Sequence, residues 1–346
     1  MKTFSPLRRI FRLPLCTVLL HLAVQSCLPA EGPPQTASPL PSAKPIPRVQ
    51  VFPLPNYEAS FQLEGRELTR YRFDPKSKRP FWYPAQTTLG PSLIRMGHPH
   101  DPITHRHHYG IWITHSAVSG VNFWDDETDN GKDRVRGSIE HQSVLGYWDG
   151  EDSAAMMTLN HWVADRDHRV LLIEKRHMEV KPLPDATSWM LIVDSEFRAP
   201  KGQTAEFQPS GFGLVSARMA KSIGVIDGGG RILNSTGQIN EEQVFRKPAT
   251  WCDYSGRLTN AENGFAGITL FNHPQNPNHP TAYHVRNDGW MCACLSLERP
   301  IEVGDTVPLH VRYGLWMHEG IRTGAECEAL AQQFGAWPIA DMERKK

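Results

Sequence analysis

From Val49 onward the chain alternates short β-branched and aromatic runs with Gly, Pro, Asp and Asn. Runs of this length, bounded by turn formers, predict strands. They fall at Val49–Pro53, Ala59–Leu63, Leu68–Phe73, Phe81–Ala85, Gly137–Tyr147, Ala154–Val163, Val170–Val180, Trp189–Phe197, Glu206–Val215, Gly264–Phe271, Ala282–Val285, Met291–Leu297 and Val307–Trp316. Within the seventh run, Glu174, Arg176 and Met178 share one face, and Lys175, His177 and Glu179 share the other. One long helix is predicted, Gly324 to Phe334, with Ala325, Leu330 and Phe334 as its apolar positions. Many strands, one helix and no linker after Pro47 predict a mainly β protein, built as one large antiparallel β-sandwich with a C-terminal helix.

The N-terminus changes this picture. Lys2, Arg8, Arg9 and Arg12 surround the start of an apolar run from Leu13 to Val24. Such a run is too short to span a bilayer but suits the core of a signal peptide. Residues 1–27 are therefore expected to be an export signal, which places the protein in the periplasm or cell envelope. Ser26 precedes Cys27, so a lipid anchor on Cys27 and plain secretion stand as alternatives. Residues 28–47 are rich in Pro, Ser and Ala and are expected to form an extended tether. Residues 48–346 are then a single domain.

Composition narrows the function classes. Of 346 residues, 40% are hydrophobic and 21% charged, which is ordinary for a folded chain. Formal net charge is zero, so no broad basic field is available for a phosphate backbone, and nucleic acid is not expected as a partner. Sixteen histidines and ten tryptophans are the more distinctive feature. Cys252, Cys292, Cys294 and Cys327 lack the paired spacing of a zinc site and read as buried small hydrophobes. Phosphate-loop, nucleophile-elbow and H-E-x-x-H motifs are absent.

Three constellations can carry chemistry. The first packs six histidines into eighteen positions, His98, His100, His105, His107, His108 and His115, among prolines and glycines that stiffen the backbone. Imidazole exchanges protons near neutral pH and can also bind a metal. In extended backbone His105 and His107 would point to one side, as a pair of metal ligands does, and His108 to the other. A divalent metal is thus the one cofactor this spacing suggests. The second constellation is Trp251-Cys252-Asp253-Tyr254-Ser255-Gly256, with a carboxylate between two aromatic rings. Its plainer assignment is a turn-capping aspartate. The third runs from Phe271 to Arg286 and carries His273, His279, His284 and Arg286 between prolines. Arg286 suits a carboxylate or a hydroxyl pair.

At these points the chain resembles the PmoA family of exported bacterial proteins, labelled "methane oxygenase PmoA", whose function is unestablished. The motifs that carry the resemblance are Arg79-Pro80-Phe81-Trp82-Tyr83-Pro84, the loop His98–Trp112, Gly120-Val121-Asn122-Phe123-Trp124, Asp227–Asn234, Trp251–Gly256 and Asn272–Arg286. Family members often begin the histidine loop with an aspartate, where this chain has Thr104. The label implies a copper oxygenase. A membrane oxygenase subunit of that name has several apolar spans of about twenty residues, and this chain has no such span. The β body is instead similar to the supersandwich of galactose-mutarotase-like domains, a likeness of fold that does not settle function.

The leading functional expectation is a carbohydrate-active protein, whether lyase, epimerase, mutarotase or hydrolase. Its proton-moving groups would be His107, His108, Asp253 and His284. A small sugar or oligosaccharide would be held by His100, Trp112, Trp251, Tyr254, His273 and Arg286. A non-catalytic glycan-binding protein is the second expectation. The third is a metal-dependent enzyme with His105 and His107 among its ligands. All three rest on two distant histidine-rich stretches meeting on one face of a sheet.

Overall fold

A computed structural model describes residues 43–87, 90–97, 105–125, 135–185 and 187–343. The proposed signal and most of the tether lie outside the described residues, as do His98 and His100. From Ile46 onward the chain clusters as one unit.

Two large sheets carry most of the described chain, and every pairing of named strands is antiparallel. The first has nine strands, in the spatial order Val49–Leu54, Glu58–Leu63, Arg66–Arg72, Phe81–Ala85, Ile111–His115, Gly213–Arg218, Trp290–Cys294, Thr281–Arg286 and Lys247–Ala249. The second has eight, in the order Arg231–Asn234, Trp251–Arg257, Phe265–Asn272, Leu309–Glu319, Trp189–Arg198, Val170–Pro182, Ala154–Ala164 and Gly137–Trp148. A short pair, Ala205–Phe207 with Ile301–Val303, lies apart from them. The expected β-sandwich and C-terminal helix are both present. Among the described residues no helix is long and apolar enough to cross a membrane.

The sheets pack face to face because each strand sends alternate side chains inward. Phe61, Tyr71, Trp82, Ile111, Ile113, Leu214 and Val215 of the first sheet join Trp162, Leu172, Met178, Leu191, Tyr254, Ile268 and Leu315 of the second in one core. The Glu174–Arg176–Met178 face is one of these inward faces. Arg176 and Glu174 are fully buried and paired, with Nε to Oε1 at 2.8 Å and Nη2 to Oε2 at 2.8 Å. Glu174 also accepts from Trp162 Nε1 at 2.9 Å and Ser195 Oγ at 2.7 Å. Across the core, Arg176 reaches Tyr71 Oη at 3.3 Å and lies 5.7 Å from the Trp82 ring centre. A buried ion pair is tolerated when every polar atom finds a partner, and this network supplies them.

The C-terminal helix, Gly324–Ala336, starts at a capping box: Thr323 accepts from Glu326 N, and Glu326 accepts from Thr323 N at 2.8 Å. Cys327, Leu330 and Phe334 form its buried stripe against Met190, Ile192, Trp251, Phe271 and Trp316 on the outer face of the second sheet. Ala325, expected to be buried, is exposed, and Cys327 takes its place.

Two expected elements differ. The run Glu206–Val215 divides into Ala205–Phe207 and Gly213–Arg218. Pro209 lacks an amide donor and Gly213 has φ +130°, so the ladder breaks between them. The stretch Trp251–Arg257, not among the expected strands, is a strand inside the second sheet, so Asp253 is not a turn cap. Its outward residues Asp253 and Ser255 are polar yet fully buried.

Arg176→Met should cost about 3–5 kcal/mol in urea unfolding, because the Glu174 carboxylate stays buried without its partner. Adding Glu174→Leu should return part of that loss. An unchanged midpoint in the single variant would refute the role assigned to the pair.

Candidate functional site

The outer face of the first sheet carries the site. Strand pairing sets Phe81 opposite Trp112, Trp112 opposite Ser216, Ser216 opposite Cys292, and Cys292 opposite His284. Partners directly opposite share a face, so these five residues form one row. The next row holds Arg218, Trp290 and Arg286. Phe81, Trp112, Trp124, Trp290 and Cys292 pack into a second apolar cluster on this face, away from the main core.

The histidine turn lies over that floor. His105 takes φ +58°, and His108 N donates to the His105 carbonyl at 3.1 Å. The turn brings the ring centres of His105 and His108 to 4.9 Å, and those of His107 and His108 to 4.6 Å. The extended alternation expected for these histidines is therefore corrected to a tight turn. Gly97 N donates to the His108 carbonyl, and a side chain at Gly97 would strike the His105 carbonyl oxygen. Only glycine allows this approach.

Arg79 fixes the turn from below. Its guanidinium is buried and donates to the carbonyl oxygens of His107 at 2.8 Å, Phe123 at 3.0 Å and Trp124 at 2.7 Å. Asn122 braces the same wall: Oδ1 accepts from Trp124 N at 2.8 Å, and Nδ2 donates to Asp125 Oδ2 at 2.7 Å.

Between the turn and this wall opens a cavity of ≈850 Å³. His105, His107 and His108 line it together with Asn122, Trp124, Asp125, Phe212, Arg286 and Trp290. Phe212 is 36% exposed and stacks on Trp290, with ring centres 5.6 Å apart and planes 11° from parallel. The volume suits a small organic ligand, and the lining combines apolar faces with a few polar groups, as ligand pockets do.

The expected site residues divide. His107, His108 and Arg286 line this cavity, and Trp112 stacks beneath His108 at 5.0 Å. His284 shares the face but stands behind the wall, 4.2 Å from Trp290 and 5.0 Å from Phe212 between ring centres. Its Nδ1 donates to the Gly211 carbonyl at 2.8 Å. It therefore supports the wall and does not face a ligand. Asp253, expected beside these histidines, lies on the outer face of the other sheet. There it accepts from His318 Nε2 at 2.9 Å, Ser255 Oγ at 2.5 Å and Thr269 Oγ1 at 2.9 Å. Trp251 packs under the C-terminal helix and donates to Glu328. Tyr254 is in the main core, its hydroxyl held by the Arg286 and Asn287 carbonyls. His273 packs edge-on against Phe334, 5.4 Å away. All four are removed from the site by strand register and helix packing.

Sequence reasoning missed Arg79, Asn122, Trp124, Asp125, Phe212 and Trp290. The resemblance motifs contained the first three, but nothing in their spacing said that they meet. His105 and His107, expected as a ligand pair, both lie in the turn. Their ring centres are 6.3 Å apart, and among the described residues no group of three His, Cys, Asp or Glu side chains is placed to hold a metal. Cys252, Cys292, Cys294 and Cys327 are free and buried.

Electrostatics keep the inner histidines neutral. Burial pushes His108 well below the usual imidazole range, and the fields of His107, Arg218, His105 and Arg79 act in the same direction. Burial lowers His284 to about 4, against its bond to Gly211. His115 is likewise lowered to about 4 by burial. It accepts from Ala117 N at 3.1 Å and donates from Nε2 to Ser296 Oγ at 2.9 Å, a fully satisfied neutral ring.

His115 and His284 are thus near 4 when folded, and histidine in an unfolded chain is near 6.5. Between those values the unfolded chain binds more protons, so stability is fully present above about pH 6.5 and falls as pH drops toward 4. Urea midpoints measured across this window should decline steadily, with a shallower slope in His115→Gln. A midpoint that is level across the window would contradict the buried neutral rings.

A search of curated proteins finds no match. A family model matches residues 58–332, a span that includes every residue lining the cavity. The chain therefore belongs to a family of unknown function, DUF6807.

Proposed function

We propose that this is an exported carbohydrate-active protein that binds a saccharide in the aromatic-floored cavity and moves a proton with His107. The observation that carries this reading is the Phe212–Trp290 stack, set in one cavity with His107, Asn122, Asp125 and Arg286. A sugar ring presents an apolar face that packs on an aromatic ring, and a rim of hydroxyls that needs donors and acceptors. Both requirements are supplied here within one pocket.

His107 is the proton-handling group of choice. It reaches the cavity at 8% exposure, its backbone is pinned by Arg79, and its ring stands edge-on to His108. Neutral His108 adds no charge beside it, and the Asp125 carboxylate lies in the same lining. An imidazole and a carboxylate around one bound ring suit general acid–base transfer. Export rests on the basic and apolar pattern of residues 1–27.

Binding to a panel of mono- and oligosaccharides can be read by calorimetry, and turnover by NMR. Phe212→Ala should weaken binding roughly 3- to 10-fold. His107→Gln should leave binding largely intact and lower turnover by about 100-fold or more. Saccharide binding without turnover in the unaltered protein would favour the non-catalytic reading. A protein that binds no saccharide would overturn the proposal.

A further inference from the structure

The cavity is long in one direction, and its two ends differ. At one end Trp290 stands opposite Arg218, whose amide donates to the Gly110 carbonyl at 2.7 Å. At the other, just past the strand Ile111–His115, Ser116 N donates to the Phe212 carbonyl at 2.9 Å. Trp290, Ser116 and Phe212 all line the cavity. A strand rises about 3.3 Å per residue, so the backbone of the two ends lies about 20 Å apart along the sheet. That span is several times the width of one sugar ring. The volume of ≈850 Å³ agrees, since ligand pockets run from ~300 to ~1,000 Å³.

Aromatic rings bridge the span. Phe212 and Trp290 start from opposite ends and meet in their stack, and Trp124 lies 5.4 Å from each ring centre. The three lining imidazoles belong to the turn at the Trp290 end, where His108 is 5.6 Å from that ring. Past Phe212 the described lining is Ser116, Ala117, Gly120 and Val135, none of which titrates. The chain doubles back here through the Val118–Val121 pairing. Asn122 N then donates to the Val135 carbonyl at 2.8 Å, which holds Val135 at this end. Val135 is 40% exposed, so two large apolar side chains, Val135 and Phe212, are left open in one cavity. Apolar surface left open in this way marks a contact face. Proton chemistry at one end and uncharged contacts at the other suit a ligand longer than its reacting unit.

Resting on the carbohydrate reading above, we propose that the ligand is an oligosaccharide of three or more units, bound lengthwise. One unit packs on Phe212 within reach of the histidine turn, and further units extend past Ser116 to Gly120 and Val135.

The test uses the full chain and calorimetry with cello-, xylo-, manno- and galacto-oligosaccharides, each series running from one unit to five. In a series that binds, the trisaccharide should bind about tenfold or more tightly than the monosaccharide. Val135→Ser should lower trisaccharide affinity about 2- to 5-fold and leave monosaccharide affinity unchanged. Phe212→Ala should weaken both. Thermal unfolding checks that each variant is folded. A trisaccharide gain no larger than its number of units is what a one-unit site gives by statistics alone. That result, or unchanged trisaccharide affinity in Val135→Ser, would overturn this inference and leave the carbohydrate reading standing. Binding of no member of any series would overturn both.

Discussion

A buried guanidinium holding three backbone carbonyls is the constraint on which the site depends. Arg79 joins His107 to the consecutive residues Phe123 and Trp124, two separate segments of the chain. Carbonyl groups removed from water need donors, and an arginine supplies several in one plane. The histidine turn and the Asn122–Asp125 wall are therefore placed relative to each other by one side chain. The Tyr109 ring, 5.2 Å from the guanidinium carbon, adds a second contact to the same charge.

The aromatic floor determines the chemistry left to the histidines. Trp112, Trp124 and Trp290 surround His108, and Trp290, Phe212 and Phe245 surround His284. Apolar neighbours disfavour imidazolium, so these rings act as neutral packing groups with one polar edge. His107 is the less deeply buried of the two adjacent rings, 8% exposed against 2% for His108. The histidines are thus divided by depth: His105, His107 and His108 reach the cavity, while His284 packs behind its wall.

The polar cluster around Asp253 shows how chemistry-bearing residues can serve architecture. His318, Ser255 and Thr269 all bond to its carboxylate, and His318 and Asp253 are fully buried. The cluster lies beside the helix-covered apolar patch of the second sheet and satisfies polar groups that would otherwise be stranded there. The Glu174–Arg176 network does the same between the sheets. Glu174 and Arg176 stand on an inward face, where strand alternation calls for apolar residues, and Asp253 on an outward face that the protein nonetheless buries.

The sequence by itself determined the strand-rich architecture and the C-terminal helix, because these depend on local periodicity and turn chemistry. His107, His108, Trp112 and Arg286 stood out as unusual residues in stiffened segments, and they do lie at or beneath one cavity. Only tertiary structure decided which of the other candidates joined them. Asp253 and His284 both point outward from their strands, but their strands belong to different sheets, so the two side chains end on opposite sides of the sandwich. Trp290 and Phe212 carried no local signal at all, since their stacking follows from strands paired across a long sequence separation. The cavity exists because that pairing and the Arg79 bonds bring distant segments together, which no local pattern encodes.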